Sequence, residues 1–336
     1  MVAADLFDSQ GLGHDEGGAV TISILRFTFA APNDDARSRH ERLRGALELA
    51  KWGDEHGVTG VSVDEHHGTG FGWSSNPILA ASWFLSQSTR MIATADCALA
   101  PLWDPIRMAE DIALVDAMSR GRLHVTLGLG YRPSEYTLFD KQFRDRGAQM
   151  DEFLERLLGA LAHSDLPTWS RPHPPIYAGG SVRATAERAA RHGLPLSLPN
   201  HLPEIAGYYT ELCRAAGRHP LVVMPAEDSR GMVYLHEDPD KAWAELGHYI
   251  LWEAQTYAKW SDGRSHSYMH LTDAATLADV RASGRYRFMT PDELISDLAG
   301  TAAEPLVLHP LVGGMPLEEA WKSLQLLTDR VLPASL

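Results

Sequence analysis

Cysteine and basic residues are scarce in this sequence. Only two of its 336 residues are cysteine, Cys97 and Cys213, so at most one disulfide bond can form. A chain this long can bury a core that is stable without such a bond, which predicts a protein of the reducing cytoplasm. Acidic side chains outnumber basic ones by 44 to 30, and the formal net charge is −14. We therefore expect neither nucleic acid nor an anionic membrane as a main partner.

The sequence also lacks long apolar segments. No apolar run reaches the length that crosses a bilayer, and residues 1–20 have neither the basic start nor the apolar centre of a secretory signal. We interpret residues 1–20, which are rich in glycine and aspartate, as a flexible tail. No linker rich in proline, glycine or serine divides the remainder, so residues 21–336 are predicted to form one domain.

Short β-rich runs alternate with helical segments along this domain. The runs predicted as strands are Ile22–Phe29, Gly60–Val63, Met91–Leu99, Leu123–Gly130, Pro175–Ala178, Leu196–Leu198, Arg230–His236 and Leu306–His309. A helix or a long loop follows each run, which predicts a single parallel (β/α)8 barrel, an α/β fold, with a doubly wound sheet as the alternative. Residues 239–289 are too many for one connection, so we predict an insertion between strands seven and eight near the mouth of the barrel.

Several polar residues end or follow the predicted strands, and in a barrel the carboxyl ends of all strands face one mouth. These residues are Glu65, His66 and His67 after strand two, Asp96 and Cys97 in strand three, and Tyr131 after strand four. A histidine at the mouth is suited to acid–base chemistry because its pKa lies near neutrality. The alternative is an inert histidine without a catalytic role.

No metal site is predicted from these histidines. His66 and His67 are adjacent, and neighbouring side chains on an extended segment point in opposite directions. His266 and His270 have the spacing of one helical face, but no cluster of cysteines or carboxylates accompanies them.

The clearest anion site in the sequence is Gly179-Gly180-Ser181, between strand five and a helix. Two glycines allow a phosphate to approach the backbone, and a helix start offers unpaired N–H groups and the positive end of its dipole. Thr185 lies in the first turn of the same helix. A tight turn without a ligand is the alternative. Gly128-Leu129-Gly130 is a weaker signal, because the third glycine of a dinucleotide fingerprint is missing and Pro133 is expected to disrupt the helix start.

An ordered series of motifs resembles the bacterial luciferase-like monooxygenase family. The motifs are Glu65-His66-His67, Asn76-Pro77, Ala100-Pro101, Asp104-Pro105, Ser119-Arg120-Gly121-Arg122 and the closing Pro310-Leu311-Val312-Gly313-Gly314. The resemblance is nearly without gaps from Gly57 to Gly130 and covers most of the chain. Several motifs in a fixed order are far more specific than any one of them.

The resemblance implies a (β/α)8 barrel that is often a homodimer and that acts on a small organic substrate. Family members use either reduced FMN with molecular oxygen or the deazaflavin coenzyme F-420 for hydride transfer. Glu65-His66-His67 resembles the flavin members more closely, so we predict a reduced-FMN-dependent monooxygenase. The sequence holds no reductase domain, which implies a separate flavin reductase as partner. A coenzyme F-420-dependent oxidoreductase and a non-catalytic flavin-binding protein are the alternatives.

The resemblance also implies roles for particular residues. His66 matches the mouth histidine proposed as the active-site base, and Asp96-Cys97 matches the dipeptide that supports the flavin ring, often through a non-prolyl cis peptide. Arg146 matches an arginine that meets the cofactor phosphate. The phosphate is further expected to lie on Ser181, Val182 and Thr185, next to Gly179 and Gly180, with Tyr131 completing the predicted cofactor-binding set.

The sequence departs from the family pattern at three positions. Leu129 stands where luciferase has an arginine, so a phosphate contact is missing unless Arg132 or Arg183 replaces it. Gly128 occupies the place of a reactive cysteine, and Asp96 puts a carboxylate where small neutral residues are common. These departures make light emission an unexpected activity for this chain.

Overall fold

The computed structural model describes residues 21–32, 35–163, 165–261, 271, 274–300 and 304–334. The interpretation of residues 1–20 as a tail, and that of His266 and His270, lie outside these residues. Ten strands form one sheet: β1 Ser23–Phe27, β2 Gly60–Val63, β3 Ile92–Leu99, β4 Leu123–Gly128, β5 Ile176–Gly179, β6 Leu196–Ser197, β7 Val222–Val223, β8 Met232–Leu235, β9 Tyr286–Met289 and β10 Leu306–Leu308.

Every pairing in this sheet is parallel, in the order β7-β6-β5-β4-β3-β2-β1-β10-β8-β9. The first strand therefore pairs with the last, as the strands of a barrel do. The predicted fold class, a parallel α/β barrel, is confirmed. Among the described residues no ladder joins β7 to β9, so the sheet is not closed by hydrogen bonds there.

Two strands differ from the sequence prediction. β7 has only two residues, too few to show a periodic pattern, and β9 lies at the end of the segment that was predicted to be an insertion. β9 pairs with β8 over four residues, so this segment contributes a strand to the sheet as well as helices. The insertion is therefore shorter than predicted.

The helices of the described residues follow the strands. They are α1 Ala36–Glu55, α2 Pro77–Gln87, α3 Pro105–Ser119, α4 Pro133–Leu138, α5 Arg146–Leu161, α6 Arg183–His192, α7 Pro203–Ala215, α8 Pro239–Ser261, α9 Leu277–Ala282, α10 Pro291–Gly300 and α11 Leu317–Leu326. Asn76 caps α2 by accepting from the Leu79 amide, with Pro77 in the first turn, as predicted. None of these helices has the length and apolar character needed to cross a membrane.

Pro133 does not disrupt a helix start, and that expectation is wrong. It is the first residue of α4, where a proline is tolerated because its missing N–H would have no partner within the helix. The short helix places Glu135 and Tyr136 in the interior of the protein. This helix determines the geometry of the candidate site.

Side chains alternate between the two faces of the first four strands. Leu25, Val61, Ala95 and Val125 belong to the main hydrophobic core, in which strands pack against the surrounding helices. Their neighbours Arg26, Ser62, Asp96 and Thr126 therefore point into the barrel. The interior of the barrel is polar on this side.

Asp54 joins the end of α1 to the start of β3. Its carboxylate accepts hydrogen bonds from the amides of Thr89 (2.7 Å), Arg90 (2.9 Å) and Met91 (2.6 Å). Burial raises the pKa of Asp54, but these hydrogen bonds outweigh it and hold the pKa below its ordinary value. Asp54 thus stabilises the fold in its ionised form.

We expect Asp54→Ala to lower the free energy of unfolding by about 2 kcal/mol, because three backbone N–H groups lose their acceptor and one of them, that of Met91, is buried. The pKa is depressed, so this contribution is complete above the ordinary pKa and is lost as the pH falls below about 4. Urea denaturation at pH 7 and at pH 3 measures it, with the exposed Asp228→Ala as control. An equal difference between wild type and variant at both pH values would contradict this role.

Candidate active site

His66 is held at the mouth of the barrel by a buried carboxylate. Its Nδ1 lies 3.0 Å from Oε1 of Glu135, and the two residues are 7% and 1% exposed. An ionised carboxylate only accepts hydrogen bonds, so Nδ1 carries the proton and Nε2 is the nitrogen that can exchange a proton with a bound molecule. The same oxygen accepts from the amide of His67 (3.0 Å) and from Arg132 Nη1 (2.9 Å).

The charge state of Glu135 follows from these contacts. Burial raises the pKa of Glu135. The hydrogen bond and charge of His66 and the charge of Arg132 lower it by more than burial raises it, so the pKa lies below its ordinary value. Arg132 also donates to the carbonyl of His67 (3.0 Å) and lies over the ring of Trp260 (4.1 Å). Glu135 is therefore an anion that orients both the imidazole and the loop after β2.

Aromatic rings surround the imidazole of His66. The centroid distances are 4.9 Å to Trp260, 5.8 Å to Trp73, 5.8 Å to Tyr131 and 5.9 Å to Tyr257. Trp73 and Trp260 also contact each other, at 4.6 Å. Burial raises the pKa of the Tyr131 hydroxyl well above its ordinary value, so that hydroxyl is neutral. The mouth therefore offers an apolar wall beside a polar base.

His67 points away from His66, as predicted for adjacent residues on extended chain. Its Nε2 lies 2.6 Å from Oε1 of Glu65, and its ring contacts Phe139 at 4.7 Å. Glu65 also accepts from Trp103 Nε1 (3.0 Å) and from the amide of Leu99 (2.7 Å). Glu65 and His67 thus tie the loop after β2 to the end of β3, and His66 is the histidine that remains at the mouth.

α8 lies against the mouth through one face. Glu253 accepts from Thr28 Oγ1 (3.2 Å) and from the amide of Gly313 (3.2 Å), and it pairs with His309 Nε2 (3.0 Å). One turn later, the hydroxyl of Tyr257 donates to Asp64 Oδ2 (2.8 Å). Glu253, Tyr257 and Trp260 are spaced as one helical face, so the predicted insertion near the mouth is in part a helix packed onto the ends of β1, β2 and β10.

The predicted phosphate loop precedes α6. The N-cap of this helix is Val182, whose side chain cannot cap it. The Thr185 amide donates to the Val182 carbonyl (2.9 Å), so the amides of Arg183 and Ala184 are the N–H groups that can meet an anion. Gly180 has a φ of 152°, and a Cβ there would lie 2.6 Å from Thr185 Oγ1. Only glycine therefore fits between the loop and Thr185. Gly179 and Ser181 are half-buried on either side.

Arg146 is the first residue of α5, and Arg188 holds that helix start beside α6. Arg188 donates from Nη2 to the carbonyl of Gly147 (3.2 Å) and from Nε to Asp151 (2.8 Å). A small cleft is lined by Leu129, Gly179, Thr185 and Arg188, among others. The structure thus brings the start of α5 towards the Gly179–Thr185 loop.

The sequence predicted that Arg132 or Arg183 supplies the phosphate contact that is missing at Leu129. Neither side chain is placed for that role. Arg132 is buried against Glu135 and Trp260, on the side of His66. Arg183 is exposed, and its guanidinium lies over the ring of Tyr208 at 4.8 Å. Arg188, which the sequence reasoning did not select, lies in the cleft instead.

The peptide bond between Asp96 and Cys97 is cis, and it lies at a bulge in β3. A Cβ on Gly128 of the neighbouring strand would lie 2.5 Å from Cys97 Sγ, so no side chain fits there. Burial raises the pKa of Cys97, which keeps the thiol protonated. Among the described residues no group of three histidine, cysteine or carboxylate side chains could hold a metal ion.

Glu135 is a site residue that sequence reasoning missed, and Arg132, which it considered only for the phosphate, lies beside Glu135 instead. Proline at the first helical position followed by glutamate two residues later is a recognised helix start. Read this way, Pro133-Ser134-Glu135 would have predicted a short helix after β4, with its carboxylate near the mouth.

Fold and site together define an α/β-barrel protein with a carboxylate-held histidine at its mouth and a glycine loop before a helix start that no side chain caps. A family model described as luciferase-like monooxygenase matches residues 22–305. The chain belongs to this family, as its motifs predicted.

Two curated relatives match parts of the chain. The alkanal monooxygenase alpha chain of Photorhabdus luminescens is 27% identical over 177 residues, which are 48% of this chain and 49% of that protein. The oxygenase component of the flavin-dependent trigonelline monooxygenase of Acinetobacter baylyi is 26% identical over 102 residues, 30% of this chain and 28% of that protein. The chain spans about half the length of the first of these relatives, and less of the second.

Solved structures match more of the chain. The monooxygenase RslO1 of Streptomyces bottropensis has a TM-score of 0.75 at 24% identity, over 94% of this chain and 100% of that chain. An F420-dependent secondary alcohol dehydrogenase has a TM-score of 0.66 at 15% identity, over 94% and 99%. At these sequence identities the similarity establishes the fold but does not identify the cofactor.

Proposed function

We propose that this protein is a monooxygenase that uses reduced FMN and molecular oxygen to oxidise a small organic substrate. The observation that carries the proposal is His66, held by Glu135 in an aromatic mouth. Membership of the luciferase-like monooxygenase family and the flavin-dependent relative support it.

The residues around the loop before α6 suit the phosphate of FMN. The start of α6, which no side chain caps, and the hydroxyls of Ser181 and Thr185 would donate to the phosphate, and Gly179 and Gly180 would leave room for it. Arg146 donates from Nη1 to the Phe143 carbonyl (3.0 Å) and lies over the Phe143 ring, and we propose that it turns to the same phosphate when FMN binds. Asp96-Cys97 and Tyr131 would hold the ring. Bound reduced FMN supplies the electrons with which molecular oxygen is activated.

His66 would accept or return a proton at Nε2 during the oxidation. Glu135 keeps Nδ1 protonated and stabilises the imidazole when both nitrogens carry protons. Trp73, Tyr257 and Trp260 exclude water from this nitrogen, because their rings pack around the imidazole.

Hydride transfer with coenzyme F-420 is the second candidate, favoured by the same fold in an F420-dependent dehydrogenase. Titrating the purified protein with reduced FMN and with reduced coenzyme F-420 distinguishes the two. Preferred binding of reduced FMN and substrate-dependent oxygen uptake support the monooxygenase. Preferred binding of coenzyme F-420 without oxygen uptake would show a hydride-transfer oxidoreductase and exclude the monooxygenase. Flavin binding without turnover of any substrate would show a non-catalytic flavin-binding protein.

We propose a separate flavin reductase as partner, since the trigonelline enzyme is named as an oxygenase component. The protein is proposed to work in the cytoplasm as one domain that spans residues 21–336. Adding a flavin reductase and NADH should therefore restore formation of oxygenated product to a preparation that is inactive with oxidised FMN, whereas the reductase without this protein should form none.

We further propose a homodimer through α2 and α3. These neighbouring helices expose Leu79 (66%), Leu114 (68%) and Met118 (53%), apolar side chains that an isolated monomer would leave in water. Leu114→Glu is expected to convert the dimer into a monomer, measured by size-exclusion chromatography with light scattering. Leu138→Glu, an exposed leucine elsewhere (62%), is the matched control. A wild-type monomer, or a variant that stays dimeric, would exclude this interface.

A further inference from the structure

A buried carboxylate in the second half of α8 has no part in the chemistry proposed above. The side chain of Glu253 is fully buried, and most of the other buried residues of α8 are apolar, among them Leu246, Ile250 and Ala254. A charge in such surroundings is unfavourable unless hydrogen bonds compensate its loss of water. An ionised Glu253 is therefore stable here only through the contacts that its carboxylate makes.

The two oxygens of Glu253 contact different groups. Oε2 accepts from the Thr28 hydroxyl, directly after β1 (3.2 Å), and from the amide of Gly313 (3.2 Å). Oε1 lies 3.0 Å from Nε2 of His309, directly after β10. Burial raises the pKa of Glu253, but the charge and hydrogen bond of His309 and the charge of Arg26 lower it by more than that. Glu253 is therefore an anion that joins α8 to the ends of β1 and β10.

These contacts fix the position of α8 in a way that apolar packing does not. Apolar burial has no preferred direction, whereas a hydrogen bond requires a narrow range of distances and angles. A shift of α8 by one residue would move it by about 1.5 Å and turn its side chains by about 100°. A Cβ on Gly313 would overlap the carbonyl of Tyr249 in α8, so helix and loop meet backbone to backbone. Glu253 and Gly313 together set the height and the rotation of the helix.

The same helix carries two of the aromatic rings at the mouth. Tyr257 and Trp260 follow Glu253 by four and seven residues, so all three lie on one face of α8. The ring centroid of His66 is 4.9 Å from that of Trp260 and 5.9 Å from that of Tyr257. The Arg132 guanidinium lies over Trp260 at 4.1 Å. A displacement of α8 would therefore move two rings of the wall around His66 and one contact of Arg132.

We propose that Glu253 is the positioning residue of the mouth, because it fixes α8 so that Tyr257 and Trp260 enclose the imidazole of His66. Glu253 is fully buried and acts through the helix, not on the substrate. A misplacement of about 1 Å that arises far from the reacting atoms can lower turnover by about 100-fold. This inference rests on the proposed function, because it takes His66 as the base.

The test compares Glu253→Leu with Glu253→Gln. Leucine fills the space but accepts no hydrogen bond. The oxygen of glutamine can accept from Thr28 and Gly313, while its amide donates to Nε2 of His309. Nδ1 of His309 is buried without a hydrogen-bond partner among the described residues, so it can take the proton that Nε2 gives up. Glutamine therefore keeps the anchor without the charge.

Glu253→Leu should lower kcat by about 10- to 100-fold, whereas its affinity for reduced FMN should stay within about twofold of wild type. The flavin affinity is preserved because the proposed phosphate contacts come from α5 and α6. Glu253→Gln should keep most of the turnover. Glu245→Leu, an exposed glutamate on the same helix, should behave as wild type.

A second measurement needs neither flavin nor substrate. The protein is labelled with 5-fluorotryptophan, and the ¹⁹F signal of Trp260 is assigned as the one of nine that is missing in Trp260→Phe. In Glu253→Leu this signal should move towards its position in the urea-unfolded protein, whereas in Glu253→Gln it should stay. Thr28→Val removes one donor from Oε2 and should move the signal in the same direction by less.

The outcomes separate positioning from a charge effect and from a loss of stability. Urea denaturation finds conditions under which each variant is folded, and Thr28→Val answers the same question if Glu253→Leu does not fold. An unmoved Trp260 signal with wild-type kcat in folded Glu253→Leu overturns the inference. A loss in Glu253→Gln as large as in Glu253→Leu overturns it as well, because the charge would then be what matters.

Asp54→Ala, which weakens the fold away from α8, serves as the control for stability. The same loss of kcat and the same shift of the Trp260 signal in Asp54→Ala would also overturn the role of Glu253. Absence of turnover in the wild-type protein with reduced FMN excludes the monooxygenase, and the Trp260 signal then still shows whether Glu253 positions the mouth.

Discussion

Replacing His66 by asparagine should lower turnover by about 10²- to 10⁴-fold, the usual contribution of a general acid–base group, while reduced FMN still binds. Asparagine fits the space of the imidazole but cannot exchange a proton near neutral pH. Turnover is measured as substrate-dependent oxygen uptake, with a substrate found by screening small organic molecules against the wild-type protein. Flavin affinity is measured by titration of the same preparation.

His67→Asn is the matched control, because His67 is adjacent but is bound to Glu65 and turned away from the mouth. It should retain most of the turnover. A loss of turnover in His67→Asn as large as that in His66→Asn would remove the assignment of the base to His66. A His66→Asn protein with unchanged turnover would do the same.

Glu135→Gln extends this test to the residue that positions His66. Glutamine keeps the size of the side chain but not the charge, so Nδ1 loses its ionised acceptor and turnover should fall by about tenfold or more. The pKa of Glu135 lies below its ordinary value, so the pair is intact above about pH 4.5 and is lost as the pH falls. Glu135→Gln should therefore change the pH dependence of kcat, whereas a substitution that affects only the fold would leave this pH dependence unchanged.

The second large effect is expected at the phosphate loop. Arg146→Gln should weaken the binding of reduced FMN by about 10- to 100-fold, because one charge-assisted hydrogen bond to the phosphate is lost. Riboflavin lacks the phosphate, so its affinity should change less than about twofold. Parallel titrations with both flavins measure the difference.

Arg144→Gln is the control for Arg146→Gln. Arg144 lies two residues earlier, and its side chain is 83% exposed, so its loss should affect neither flavin. An equal loss of affinity for FMN and riboflavin in Arg146→Gln would show that Arg146 supports the local fold and does not contact the phosphate. Unchanged binding of both would place the phosphate elsewhere.

Sequence reasoning predicted elements well where a local signal is strong. Asn76 and Pro77 start a helix by their own chemistry, since the asparagine accepts the free amide and the proline has no N–H to lose. The placement of His66 after β2 and of Asp96 on the inward face of β3 follows from alternation and from the barrel rule. The prediction did not include the two-residue strand β7, and it assigned β9 to the insertion because β9 follows a long helical segment.

Glu135 shows why the candidate site was only partly predictable. It lies 69 residues from His66 in the chain, and nothing in the local sequence pairs them. The contact exists because α4 starts at Pro133 directly after β4, and because β2 and β4 end at the same mouth. Arg132, Tyr257 and Trp260 reach the site in the same way, from separate elements.

The sequence by itself determined the parallel barrel, the family and the residues at the strand ends, because periodicity, helix caps and ordered motifs are properties of neighbouring residues. Only the tertiary structure decided which groups touch: Glu135 on His66, Glu65 on His67, Arg188 in the cleft and Asp96 in the open interior. Hydrogen bonds and burial depend on distances between residues far apart in the chain, and packing alone sets those distances.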